Sequence, residues 1–423
     1  MKSIDGERFS NCLETRMPPA LDLDEFDIAL PFVECMYEVV ELCKTPRVAP
    51  ARLDPSKSRW RRIIDCADSK MLWKAIDWKG SFNPSPQQQR PADAEFQRHM
   101  EDLLDPDLSE APPWPSCEDQ PSIPLLDDPI SVPEVEKVIQ DQMDPNKSAG
   151  PDGINPGIFR LLPAQWLLYL CMILNTVFMS GLYPPSWCSA KLSMLFKKGL
   201  AMVCDNYRGI SIINSISKLY DYILNNRLML WHKPCREQAG AQPKRGCTEH
   251  LITLRLIIDY ARHRKLKLFI TYVDFSKAYD RVPRGKMFQV LKALGCGAIM
   301  LAALMALYTT TSSILGSAII TASIGVRQGS PTLCFLFVLF VDVLIRRLKA
   351  CPDDGWLKWL HSLMLMDDTV IFATSRERMV EKLAVLQNYC EEYGMVVNES
   401  KTKFMAINGG EEDRQPFKWV NSR

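Results

Sequence analysis

The segment LKWLHSLMLMDDTVIFATS, Leu357 to Ser375, is apolar on both flanks and polar in the middle, where Asp367 and Asp368 stand side by side. Apolar runs on either side of a short polar tip predict a β-hairpin with the aspartates at its turn. A second run, KLFITYVDFSKAYDRV, begins as a strand, and its pattern breaks at Asp274. AKLSMLFKKG reads as a strand ending in Lys197 and Lys198, and MVVNESKTKFMAIN as a closing pair of short strands. Helical spacing appears between these runs. SIINSISKLYDYILNNRLMLWH has helical periodicity, with apolar residues at Ile216, Leu219, Ile223 and Leu228. WLLYLCMILNTVFMSG reads as a buried helix, and RERMVEKLAVLQNYCEEYG as an amphipathic one stopping at Gly394. ASIGVRQGSPTLCFLFVLFVDVLIRRL is a glycine-bearing loop running into a helix. SVPEVEKVIQDQM is a short helix halted at Pro145, and AGPDG is a tight turn. Helices and strands interleaved in this way predict an α+β sheet domain.

Upstream of residue 75, helix-like stretches such as FVECMYEVVELCK alternate with proline joints. MLWKAIDWKGSFNPSPQQQRP then runs into a Gly/Pro/Gln-rich linker, and an acidic, proline-rich section to about residue 130 reads as an extended connector. A chain of 423 residues can bury a real core and is expected to hold two or three structural units.

The net charge of +1 conceals an uneven distribution. Lys191 to Lys292 carries 20 Lys and Arg against 7 Asp and Glu, a balance of +13. Pro91 to Lys137 carries 2 against 13, a balance of −11. The basic block fits either solvated helix faces or the footprint of a polyanion. The 14 cysteines are scattered, with no C-x-x-C pair, which argues against a zinc ribbon and fits reduced thiols. There is no secretory h-region, and the apolar run Leu333 to Val341 is too short to span a bilayer. The expectation is an intracellular protein, nuclear or cytoplasmic, without a membrane segment.

Two adjacent carboxylates in an apolar setting need compensation, because desolvation and mutual repulsion both oppose their ionisation. Asp274 lies 93 positions before Asp367 and also ends an apolar strand. Strand ends of one sheet bearing such side chains would form an oxygen-rich site for a hard divalent ion, Mg²⁺ foremost and Mn²⁺ also. Two ions ~3.5–4 Å apart would activate a hydroxyl and stabilise a leaving phosphate oxygen. Paired aspartates alone also fit a surface turn.

YVDFSKAYDRVP, GVRQGSP, LMDDTVIF and NESKTKF occur in the order and approximate spacing of the reverse transcriptases of non-LTR (LINE-type) retrotransposons, which the chain resembles over about residues 125 to 410. KSAGPDGI and NYRGISIINSISKLYDYILNNRL resemble that family's finger segments, and EQAGAQPKRGCTEHL its Gln-x-Gly-Phe-like stretch. SRWRRIIDCADSKMLWKAIDWKG resembles the region preceding the polymerase. The resemblance implies a right-hand polymerase: an antiparallel palm sheet with helices, plus fingers, with the thumb largely missing. Residues 1–120 would be an N-terminal extension and acidic linker, 121–410 the fingers and palm, and 411–423 a tail.

Carried over by motif, Asp274 and Asp367 would ligate metal with Asp368 beside them, and Phe275 would offer its backbone carbonyl. Tyr279 would lie under the incoming sugar and exclude a 2′-hydroxyl. Arg327, Gln328 and Gly329 would form the loop before the helix that holds the nascent base pair. Within it Gln328 offers an amide and Gly329 allows a close backbone approach. Arg208, with Lys197 or Lys198, would clamp the triphosphate, and Lys401 would protonate the leaving pyrophosphate. The implied activity is RNA-directed DNA synthesis, with RNA template, DNA primer, deoxynucleotides and two Mg²⁺ ions. The oligomeric state is left open.

The chain departs from the family pattern at Leu365-Met366, at RQGSPTLC and at Gly209. No endonuclease is expected before residue 120, and little chain follows MAIN for a thumb. A truncated, inactive nucleic-acid-binding remnant is therefore the alternative. An RNA-copying RNA polymerase is disfavoured by Tyr279 and SKAYDRVP. A two-carboxylate glycosidase would need no basic block.

Overall fold

The computed structural model describes residues 3–23, 27–45, 90–105, 112–352, 355–415 and 417. The segment Ser58 to Gly80 and the Gly/Pro/Gln-rich stretch lie outside the described residues. Among those described, two four-stranded sheets and one two-stranded ribbon are packed with helices.

The first sheet contains the aspartate-bearing strands. In chain order its members are β5 (Leu268–Val273), β8 (Ser362–Leu365), β9 (Asp368–Ala373) and β10 (Lys403–Ile407). Their spatial order is β10-β5-β9-β8, antiparallel throughout. The second sheet is formed by β3 (Ser189–Phe196), β4 (Tyr207–Ile213), β6 (Ser312–Leu315) and β7 (Ala318–Thr321), in the order β4-β3-β6-β7 with β3 and β6 parallel. The ribbon pairs β1 (Ser3–Ile4) with β2 (Lys44–Thr45).

Apolar residues on both faces explain why β5 is central. Leu268 and Ile270 enter one buried cluster with Phe372, while Phe269 and Val273 enter the main core. The main core is continuous from the N-terminal helices Gly6–Glu14 and Leu30–Leu42 through Ser215–Trp231 to Leu333–Ala350 and Arg376–Tyr393. Ile216, Leu219, Ile223 and Leu228 are fully buried, on a helix that buries residues on several sides. Strand β4 ends at Ile213, so the helix starts at Ser215 and the first residues of that run are extended. The helix Arg376–Tyr393 is capped by Ser375 and stopped by Gly394 at φ 67°, where a left-handed turn suits glycine.

Two segments depart from the reading of the sequence. The predicted pair of closing strands is one strand, β10. Its expected partner makes only an isolated bridge, Val397 to Phe275, because the backbone from Val396 to Asn398 is used to hold Ser276 and Asp274. The acidic stretch contains a helix, Asp93–Leu104, whose Phe96 and Met100 bury against Leu192, Leu315 and Ile320 of the second sheet. No helix among the described residues is long and apolar enough to cross a membrane.

Candidate active site

The pairing of β5 with β9 runs up to Val273 opposite Thr369. The next residues on the two strands are Asp274 and Asp368, so the register brings them to one end of the sheet. Asp367 occupies the turn between β8 and β9 with Met366, which has φ 61°. The hairpin thus lifts the carboxylates out of the apolar strands that flank them.

Asp274 is held by the segment Asn398–Thr402. Its carbonyl accepts from Asn398 N–H at 2.7 Å, and its own N–H donates to Thr402 Oγ1 at 3.3 Å. The same segment places Lys401 Nζ 3.3 Å from Asp274 Oδ2, with the lysine side chain 63% exposed. Phe275 is buried next to Asp274. Tyr279 packs its ring on Phe337, centroids 4.5 Å apart, and its hydroxyl donates to Asp367 Oδ1 at 3.4 Å. Burial, and then Asp367, push the Tyr279 phenol well above its ordinary range, which keeps it a neutral donor. Burial also raises the Asp367 carboxyl. Asp368 adds to that rise, whereas the Tyr279 hydroxyl and Arg208 oppose it.

Cations reach this end of the sheet from the other sheet. Arg208 lies on β4 opposite Leu195, and Lys197 follows β3, its N–H bonded to Asn206 O at 2.8 Å. Burial, and then the proximity of Arg208, pull the Lys197 ammonium below its usual range. Lys277 and Lys401 add to this, and Asp280 offsets part of it. Arg208, Lys277 and Lys401 thus all act on Lys197, while Lys277 is itself paired with Asp205 and Lys401 with Asp274. Lys198 is exposed on the loop beyond β3.

The loop before the helix Leu333–Ala350 is occupied by internal contacts. Arg327 is buried. It donates to Tyr183 Oη at 2.8 Å and Trp187 O at 2.5 Å, so its guanidinium serves the scaffold. The Gln328 amide donates to Asp280 Oδ1. Gly329 has φ 91°, and a Cβ there would lie 2.0 Å from Ser211 O, so the close approach in this structure is to strand β4. The structure thus brings Asp274, Phe275, Asp367, Asp368, Tyr279 and Lys401 to one sheet end, with Arg208 and Lys197 reaching it from the second sheet, whereas Arg327, Gln328 and Gly329 are engaged by internal partners.

Three residues of the site were not singled out in the sequence. Asp280 is raised above the ordinary carboxylate range by burial and receives Gln328. Lys277, at φ 49°, pairs with Asp205 at 2.7 Å. Gln238 is fully buried against the Asp367 turn. Asp280 and Lys277 stand inside DFSKAYD, where charge amid apolar residues was the available signal. For Gln238, only its place within EQAGAQP hinted at a role.

Among the described residues, no three His, Cys, Asp or Glu side chains are drawn together closely enough to hold a metal ion. As donors, however, Asp274, Asp367 and Asp368 supply the hard oxygens that Mg²⁺ or Mn²⁺ takes, and such ions complete their shells with water and substrate phosphate.

A family model described as "Reverse transcriptase (RNA-dependent DNA polymerase)" matches residues 195–420, slightly over half of the chain. The "Retrovirus-related Pol polyprotein from type-2 retrotransposable element R2DM" of Drosophila melanogaster is 25% identical over 273 residues, covering 62% of this chain and 25% of that protein. The "RNA-directed DNA polymerase from mobile element jockey" of Drosophila melanogaster is 26% identical over 304 residues, covering 67% and 32%. Its Drosophila funebris counterpart is 29% identical over 160 residues, covering 37% and 17%. The chain thus spans at most about a third of the length of these relatives.

Proposed function

Because the chain belongs to the reverse transcriptase (RNA-dependent DNA polymerase) family, we propose that it extends a primer 3′-hydroxyl with deoxynucleotides on an RNA template. In this reading the sheet β10-β5-β9-β8 with its helices is the palm, and the hairpin β3–β4 belongs to the fingers. The observation that carries it is the register that brings Asp274 and Asp368 to one end of β5 and β9, with Asp367 in the adjoining turn and Arg208 near enough to favour its ionised form.

Asp274, Asp367 and Asp368 would hold divalent metal, Mg²⁺ or Mn²⁺, which when bound lowers the pKa of the attacking hydroxyl and neutralises charge on the transferred phosphate. The other steps belong to the chain's own residues. Lys197 and Arg208 bind the triphosphate, Arg208 by a fork-shaped guanidinium and Lys197 as a point charge. Lys401 leaves Asp274 and donates a proton to the departing pyrophosphate. The Tyr279 ring bounds the sugar pocket, where it excludes a 2′-hydroxyl. The exposed cations of the block from Lys191 to Lys292 lie along the template and primer phosphates, while Arg227 and Arg284 within it are buried in the scaffold.

The test is primer extension on poly-rA with dTTP and Mg²⁺, comparing the wild-type chain with Asp367→Asn. Extension should fall at least about a hundredfold in the variant. Equal extension by both proteins would remove Asp367 from the site. No extension by either, with salt-dependent binding of primer–template retained, would leave a nucleic-acid-binding protein.

A further inference from the structure

The turn that presents Asp367 is held from outside its own hairpin. Met366 adopts φ 61°, a left-handed conformation that is costly for a non-glycine residue and persists only under restraint. That restraint comes from a segment 128 positions earlier. Gln238 Oε1 accepts the Met366 N–H at 2.9 Å, while Gln238 Nε2 donates to Met366 O at 3.2 Å. One side-chain amide therefore holds both backbone groups of the strained residue. A side-chain amide carries a donor and an acceptor side by side and stays uncharged at every pH at which the protein folds.

The segment is itself fixed. Gln238 is fully buried, and its Oε1 also accepts the Gly240 N–H at 2.8 Å. Its backbone bridges Met364: Met364 N–H donates to Glu237 O at 2.7 Å, and Ala239 N–H donates to Met364 O at 2.9 Å. Arg245 Nη1 and Gln242 Nε2 both donate to Gln238 O. His250 Nε2 lies 3.0 Å from Glu237 O and 3.0 Å from Met364 O. Gly240 closes the seat. A Cβ there would stand 2.5 Å from Met366 Sδ and 2.6 Å from Met366 N.

We propose that Gln238, seated by Gly240, is a positioning residue that sets the Asp367 carboxylate for metal and substrate. This rests on the polymerase reading above. An apolar side chain of similar volume would fill the same space but leave the Met366 N–H and C=O without their partner, freeing the turn to relax. Residues that orient a ligand in this way typically carry 10- to 100-fold in metal affinity or rate.

The experiment compares the full chain with Gln238→Leu, Gly240→Ala and Asp367→Asn. Each is bound to primer–template and titrated with Mn²⁺ by electron paramagnetic resonance, alongside steady-state extension with dTTP. Gln238→Leu should weaken Mn²⁺ binding about tenfold or more and lower kcat by a similar factor, with KM for dTTP and primer–template affinity within about threefold of wild type. Gly240→Ala keeps the amide and opens no void, so it should move the same two quantities in the same direction. A glutamine needed only for folding would lower the melting temperature without separating kcat from KM. The inference is overturned if Gln238→Leu and Gly240→Ala both bind Mn²⁺ and turn over like wild type while Asp367→Asn loses the metal. If Asp367→Asn itself binds Mn²⁺ and extends like wild type, Asp367 is not at the metal site and the inference falls with it; if wild type binds primer–template but extends nothing, the polymerase reading fails instead.

Discussion

Tyr279 makes two separate contacts with one side chain, and the two roles proposed for it can be separated. Its ring lies on Phe337, and its hydroxyl reaches Asp367 at 3.4 Å. Tyr279→Phe keeps the ring and removes a long hydrogen bond to a carboxylate. Extension should fall roughly three- to tenfold, with discrimination against ribonucleotides unchanged. Tyr279→Val removes the ring, and ribonucleotide incorporation should rise by roughly 10- to 100-fold relative to deoxynucleotide. Single-nucleotide kinetics with dTTP and rUTP check both, and a Phe variant as permissive as the Val variant would refute the division. The aspartates, Tyr279 and Lys401 were legible in the sequence because each stands where an apolar pattern breaks or inside a recognisable motif. Gln238 was not, because its meaning depends on Met366, a residue remote in the chain. Arg327 was legible as a motif member, yet its bonds to Tyr183 and Trp187 depend on long-range packing that local pattern does not carry.

At the scale of elements, the aspartate hairpin, strand β5 and the capped helix Arg376–Tyr393 were readable, since alternation, terminating charges and a closing glycine are all local signals. The pairing of β3 with β6 was not. Those strands lie over a hundred residues apart and run parallel, and nothing in SSILGSAIIT names its partner. The loop before the helix Leu333–Ala350 is seated on β4 at Gly329, whose φ of 91° and contact with Ser211 O leave no room for a side chain. Gly329→Ala should destabilise the chain by about 2–4 kcal/mol and detach the loop from β4. The detachment should also loosen Gln328 from Asp280. Urea unfolding with hydrogen exchange at residues 326–330 checks this, and a variant unfolding at the wild-type midpoint would show that the loop carries no such constraint.

The whole molecule is unified by a core running from the N-terminal helices to Met395, and that core encloses ionisable groups whose titration should be visible in global stability. Asp221 is fully buried on the helix Ser215–Trp231. Its Oδ2 accepts from Ser330, and its Oδ1 is buried with no hydrogen-bond partner among the described residues. Burial pushes its carboxyl up to about 6, although nearby Arg327 and the Ser330 hydroxyl favour the charged form. Asp152 is also raised to about 6 by burial, despite accepting backbone N–H groups from Ile154 and Ser215. A carboxyl raised in the folded state holds a proton that the unfolded chain has already released. The stability it contributes is therefore full below its unfolded value near 3.8 and is lost as pH rises through about 6. A shift of that size corresponds to roughly 2–3 kcal/mol for one group. Asp221→Asn cannot titrate, so its decline in stability between pH 4.5 and 7 should be shallower than that of wild type by about that amount. The remaining slope in this window should come partly from Asp152, and the double variant Asp152→Asn, Asp221→Asn should flatten it further. The comparison concerns slopes, because removing the charge also deprives the buried Arg327 guanidinium of its neighbour and lowers stability by a constant amount. Urea midpoints across that range decide it, and parallel profiles for wild type and Asp221→Asn would mean that Asp221 is ionised in the folded chain throughout.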